Sequence, residues 1–316
     1  MKKILFILAA PVILILLITQ PAVIASGCSM GLTLWYHAVL PSLLPFMIFS
    51  GLLVRTGMFR YLNRFYAPFL GRILRISEDG CYAVLFGFIC GFPMGAKVIA
   101  DLVREKHISS EEGSYLLGFC NNVSPAFFLN YVCLLKLGYA SVPWKLVLLF
   151  YLLPAAYGIV TRPFYHFPVP DRSVCRKKQT SLHRMDFPML DACIMDGFTT
   201  ITRLGGYIML FTILVQLLKL LPLSETALAL LGGMLEISCG IDQITALSSL
   251  SAVYRTALTC ACASFGGLCI LAQTRSVLEG TPLRAGTWLC GRIFTALLIF
   301  LLLQLPIAVR APGGCW

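Results

Sequence analysis

A chain of 316 residues that is 58% hydrophobic and only 12% charged, with mean hydropathy +0.84, is not an ordinary water-soluble domain, in which about a quarter of residues carry charge. Its apolar runs reach roughly 20 residues, the length that crosses about 30 Å of hydrocarbon, which excludes collagen-like, disordered and small disulfide-scaffold classes and leaves an all-α polytopic membrane protein. The formal charge of +11, from 25 Lys and Arg against 14 Asp and Glu, marks inward-facing loops rather than nucleic-acid binding.

In chain order, Lys2 and Lys3 precede an apolar run over 4–18. Residues 1–30 read as a first spanning helix or uncleaved signal anchor, with a cleaved signal peptide as the alternative. The uncharged stretch 26–31 is expected to turn outside, and 32–54 to span back. The loop that follows carries Arg55, Arg60, Arg64, Arg72 and Arg75 against Glu78 and Asp79, so it lies inside. Within it, 58–74 alternates aromatics with arginines and reads as a helix lying on the inner surface.

A second basic segment, 162–191, reads as a cytoplasmic linker between two halves. Between these inside loops lie three apolar stretches, 81–100, 113–135 and 143–160, and three full crossings would put the linker on the wrong face. The stretch 81–100 is interrupted by Gly91-Phe92-Pro93-Met94-Gly95, leaving arms of about ten residues, or about 15 Å of helix each. It is expected to be a re-entrant hairpin, tolerable at that depth only when buried in protein or facing a wet cavity.

The second half repeats the pattern with opposite sense. A span over 204–221 follows an amphipathic approach with Asp196 and Arg203. The stretch 227–250 is interrupted at Glu236-Ile237-Ser238-Cys239-Gly240, and 253–274 and 283–309 follow. The segments after the hairpins are broken at Asn121-Asn122-Val123-Ser124-Pro125 and Ser264-Phe265-Gly266-Gly267. Gly91 precedes Asn121 by 30 residues, and Glu236 precedes Ser264 by 28. The expected architecture is an inverted repeat with two re-entrant hairpins and two broken transmembrane helices, its halves covering 31–161 and 192–310, with a tail at 311–316. Paired interruptions of this kind point to a transporter's midplane site.

Candidate substrate-binding residues are therefore Gly91, Phe92, Pro93, Gly95, Lys97, Asn121, Asn122, Ser124, Glu236, Ser238, Ser264 and Gly266. Unwound backbone in lipid needs polar partners, which Asn121, Asn122 and Ser124 supply. Half-helix N-termini at the midplane favour an anionic ligand. Lys97 either adds a charge to the site or pairs with Asp101 at the hairpin's exit. Glu236, an acid in mid-segment, is a default functional candidate; it binds a proton, cation or ligand hydroxyl, or else caps a half-helix or pairs with Arg255 or Lys97. Asp242 shares its surroundings. Gln273 and Arg255 read as helix-end residues facing headgroups, and Trp35, Tyr36, Trp144 and Trp288 as interfacial rings.

No enzyme is expected. Only His37 of four histidines falls within a span, and the thirteen cysteines read as small buried hydrophobes rather than metal ligands. Neither a Walker loop nor a dinucleotide fingerprint or nucleophile elbow appears, and no cofactor is expected.

The strings Gly87-Phe88-Ile89-Cys90-Gly91-Phe92-Pro93-Met94-Gly95-Ala96-Lys97, Phe119-Cys120-Asn121-Asn122-Val123-Ser124-Pro125, Asp196-Gly197-Phe198, Gly205-Gly206-Tyr207, Gly233-Met234-Leu235-Glu236-Ile237 and Ala263-Ser264-Phe265-Gly266-Gly267 resemble YlbJ-type sporulation integral membrane proteins, of the nucleoside-recognition or Gate-domain group. The resemblance spans about residues 30–305 and implies a concentrative-nucleoside-transporter-like fold. It also implies a spore-forming Firmicute host and a multi-pass protein of a membrane around the developing spore, associated with dipicolinic acid movement. Expected partners are the bilayer and a small anionic aromatic metabolite, with H+ or Na+ as candidate coupling ion, a second copy as candidate oligomeric partner, and no nucleic acid. Nucleoside transport and a non-transporting assembly role in spore maturation stand as the alternatives.

Overall fold

In the computed structural model, the described residues are 11, 15, 16, 18–168 and 186–305. Most of the apolar run 4–18, the core of the basic linker and the tail lie outside them. Every regular element among the described residues is helical, and five helices are long and apolar enough to cross a membrane: Pro21–Thr56, Trp144–Phe164, Phe187–Leu218, Ala252–Val277 and Ala285–Leu303. The expected polytopic helical class is observed.

The first described span corrects the expected outside turn. Residues 26–31 are helical, within α1 (Pro21–Leu34), which runs through a π turn at Trp35–Val39 into α2 (Leu40–Thr56). The boundary drawn at residue 30 thus falls inside a helix. Gly27 and Gly31 are the reason: their small faces lie against the backbone of Ile213 and Met209 on α8 (Phe187–Leu218), and Thr212 donates a 2.8 Å bond to the Gly27 carbonyl. Small residues four apart let two helices approach closely where lipid offers no hydrophobic drive.

Helix α3 (Phe59–Leu74) is amphipathic as expected, burying Phe59, Asn63, Ala67 and Leu74 and exposing Tyr61, Phe65 and Phe69. Next, α4 (Glu78–Ile89) and α5 (Met94–Arg104) pack together across a non-helical tip at Cys90–Pro93. Helix α6 (Ser110–Cys120) ends at Asn121, and a π-helical segment (Phe127–Lys136) leads to α7 (Trp144–Thr161).

The 32-residue α8 fuses the expected approach and span into one helix and begins within the range read as linker. Its buried stripe of Cys193, Gly197, Ile201, Leu204, Ile208, Thr212 and Val215 recurs every three to four residues. Helices α9 (Glu225–Leu235) and α10 (Ile237–Ala246) pack across a single extended residue, Glu236. Helices α11 (Ala252–Phe265) and α12 (Gly267–Val277) are separated at Gly266, and α13 (Ala285–Leu303) closes the chain.

Serine side chains accept backbone N–H bonds at four helix starts: Ser77 for α4, Ser109 for α6, Ser224 for α9 and Ser251 for α11. Such caps fix where each helix begins by satisfying an orphan donor. Nine of the eleven described cysteines are buried, in keeping with a packing role.

Candidate functional site

The four interruptions meet. At the α4–α5 tip Gly91 has φ +85°, and Ser124 of the α6 break sits where its side chain would be, with backbone N 2.8 Å from that position. Only glycine supplies both the left-handed backbone and the clearance. The Cys120 carbonyl is wedged between Gly87 and Gly95, so α4, α5 and the end of α6 touch backbone to backbone. Phe92 reaches across to Gly266, the break between α11 and α12, and stands edge-on to Trp288 of α13 at 5.8 Å. The second glycine of that break, Gly267, lies against the carbonyls of Leu235 and Gly233 beside the α9–α10 tip.

Asn121 and Asn122 are fully buried and supply the polar partners that unwound backbone requires. Asn121 Oδ1 accepts from the Ala96 N–H at the start of α5 (3.3 Å), its Nδ2 donates to Thr274 Oγ1 of α12 (3.2 Å), and its carbonyl accepts from Trp288 Nε1 (3.1 Å). One residue therefore ties together α5, α12 and α13. Asn122 Nδ2 donates to the Phe119 carbonyl at 2.8 Å, and its Oδ1 accepts from Arg292 Nη1. Ser124 Oγ accepts from the Phe127 N–H and restarts the helix beyond the break.

At the second tip, Glu236 is 2% exposed and Oε2 accepts from the Cys239 N–H at 2.8 Å. It caps α10, one of the roles open to it on sequence. Ser238 stands beside it, its carbonyl reached by the Tyr131 hydroxyl at 3.5 Å. Asp242 faces the π-helical segment, accepting from Tyr131 (2.6 Å) and pairing with Lys136 (2.7 Å). Ser264 Oγ donates to Thr295 Oγ1 of α13 at 3.3 Å.

Lys97 points away from this cluster. Its Nζ lies between Asp101 (2.9 Å) and Asp196 of α8 (2.8 Å), on the wall of a separate cavity of about 380 Å³ that is also lined by Arg55, Arg104, Arg203 and Glu279. The structure brings together Gly91, Phe92, Gly95, Asn121, Asn122, Ser124 and Gly266, sets Glu236 and Ser264 at their flanks, and directs Lys97 elsewhere.

Two residues expected at the interface are core instead. Trp288 is fully buried against Asn121 and Phe92, and Gln273 is 3% exposed with its amide on Cys269 Sγ one turn back; neither faces headgroups, because both side chains are packed inside the protein. Trp144, 70% exposed, stands at the start of α7 as expected, whereas Tyr36, 59% exposed, lies at the π turn in the middle of the continuous helix Pro21–Thr56 and not at a span end. Sequence reasoning passed over Arg292, 1% exposed and eight residues into α13. A charged residue inside an apolar run is the signal that marks it.

The chain is 26% identical over 325 residues to the sporulation integral membrane protein YlbJ of Bacillus subtilis (strain 168), a match covering 90% of this chain and 79% of that protein. The chain is similar to that protein over most of both lengths. No protein-family model and no solved structure matches it. The YlbJ-type resemblance thus extends over nearly the whole chain, while the Gate-domain grouping rests on the motif strings alone.

Proposed function

We propose that the chain is a secondary transporter or permease, not an enzyme, for a small polar anionic metabolite in sporulation, with its binding site where the four interruptions meet. Dipicolinic acid, a rigid planar dianion, is the substrate that the resemblance implies. The observation that carries this reading is the convergence: residues about 170 positions apart in sequence, Phe92 and Gly266, touch at a polar centre that includes two fully buried asparagines. A scaffold has no need of unwound helices at depth, whereas a transporter uses them to hold a ligand.

In this reading α4–α5 and α9–α10 are re-entrant hairpins, since arms of 10 to 12 residues cover about half a bilayer each. The succession of hairpin, broken helix and span occurs twice, over 78–161 and 225–303, which supports an inverted repeat of the concentrative-nucleoside-transporter kind. The basic loop after Thr56 and the basic linker face the cytoplasm. The similarity to a sporulation protein supports a membrane of the forespore or mother cell as the location.

The test is uptake by liposomes containing the purified full-length protein, comparing labelled dipicolinate with labelled uridine, with and without proton or sodium gradients. Dipicolinate uptake is the expected result. Uridine uptake alone moves the substrate to nucleosides, and no uptake of either by folded protein overturns the transporter reading.

A further inference from the structure

Among the described residues, Arg292 is a buried cation without a paired counter-charge. Among the described residues its guanidinium has one hydrogen-bonding partner, Asn122 Oδ1 on Nη1, while Nε and Nη2 have none, and none of the ion pairs among these residues involves it. Leaving part of a charged group unsatisfied at 1% exposure is costly, and an isolated arginine in an apolar helix is retained where something pairs with it.

The two unpartnered nitrogens are not a random pair. Nε–H and its neighbouring Nη2–H point the same way and form the planar fork that fits both oxygens of a carboxylate. The chain uses this same edge elsewhere: Arg60 Nε and Nη2 bind the two Asp79 oxygens at 3.2 and 2.8 Å. In Arg292 the corresponding edge is buried and has no hydrogen-bonding partner among the described residues, whereas Nη1 anchors the side chain to the α6 break.

The surroundings match an aromatic carboxylate. Trp288 lies one turn before Arg292 on the buried face of α13, with Phe92 of the first tip edge-on against it. Thr295, one turn beyond, carries the hydroxyl that meets Ser264. Trp288, the Arg292 fork and the Thr295 hydroxyl on one face of α13, with Phe92 and Ser264 brought to it from the first tip and α11, suit a flat ring bearing a carboxyl group.

We propose that the Nε–Nη2 edge of Arg292 binds a carboxylate of the transported substrate, with Asn122 positioning the guanidinium. This rests on the transporter reading above, and it assigns the site's positive charge to α13 instead of to Lys97, which already has two carboxylates. Substrate carboxylate then completes an ion pair that the protein leaves half made, so an uncharged isostere of the same shape is rejected.

The experiment uses full-length protein in lipid nanodiscs, titrated calorimetrically with pyridine-2,6-dicarboxylate and with pyridine-2,6-dicarboxamide, for wild type, Arg292→Lys and Arg292→Gln. Flux of both compounds and of uridine is measured in parallel in proteoliposomes. Wild type is expected to bind the dicarboxylate and not the diamide. Arg292→Lys, which keeps the charge and loses the planar fork, should raise Kd by about tenfold, and Arg292→Gln by about a hundredfold. Should Arg292→Gln fail to fold, Arg292→Lys decides, since an ammonium still satisfies Asn122. Wild-type affinity and flux in Arg292→Lys would overturn the Arg292 assignment and leave the transporter reading standing. Equal binding of dicarboxylate and diamide, or flux of uridine alone, would overturn it as well. Absence of binding of both pyridine compounds, and of flux of all three compounds, with folded wild type would remove both the assignment and the transporter reading.

Discussion

Asn121 and Asn122 occupy the unwound end of α6, and their side chains engage α5, α12 and α13. Replacing both by alanine leaves the Ala96 N–H, the Thr274 hydroxyl and the Arg292 guanidinium short of a partner, at about 1 kcal/mol for each neutral bond lost. The double variant should insert normally, because the substitutions only make the segment more apolar and leave the five candidate spans untouched, yet lose transport and melt at lower temperature in detergent. Retained flux would remove these residues from the site. Asp79, at the start of α4 and outside the five spans, offers a pH test. Burial pushes its carboxyl up, but hydrogen bonds from His107 and Arg60 together with their charges outweigh that and hold it below the ordinary carboxylate value. A depressed acid contributes stability above its unfolded pKa of about 3.9, and that contribution is lost as pH falls through the lower folded value. The wild-type melting temperature should therefore drop on acidification across this window, and Asp79→Asn should flatten that part of the profile. A profile identical in both proteins would show that the cluster contributes nothing.

The contact between α1 and α8 depends on two glycines four residues apart. A Cβ on Gly31 would stand 2.7 Å from the Met209 Cα and against the Thr212 hydroxyl, and one on Gly27 would stand 2.7 Å from the Ile213 Cα. Gly31→Val should separate the helices and destabilise the protein by about 1–3 kcal/mol, read as a lower melting temperature and reduced yield of monodisperse protein. Gly206, which has open space around it on the same long helix, provides the control, and Gly206→Ala should behave as wild type. A Gly31→Val protein as stable as that control would mean the close approach is dispensable. The helix breaks were legible because Gly91, Pro93, Asn121, Pro125 and Gly266 disrupt helical backbone or offer it other partners wherever they stand. The helical state of 26–31 was not, since an uncharged stretch with two glycines reads as a turn until Thr212, 181 residues past Gly31, is seen to cover it.

Between helices far apart in sequence, Lys97 of α5 holds Asp196 of α8 at 2.8 Å while also pairing with Asp101. With both carboxylates in place it acts as a tie between the first hairpin and the long helix. Lys97→Ala should lower flux of pyridine-2,6-dicarboxylate in proteoliposomes while leaving its Kd in nanodiscs unchanged. A raised Kd would return Lys97 to the binding site. Composition and charge pattern alone establish the membrane class, and the positions of the breaks can be read from local residue types, because burial in lipid and the helical period act within a few turns of chain. Which breaks face one another, that Lys97 is taken by Asp196 and that Arg292 and Trp288 turn inward follow from the packing of helices far apart in sequence. Buried ion pairs and backbone-to-backbone contacts depend on distances of a few ångströms between such segments, and no local pattern in the chain encodes those distances.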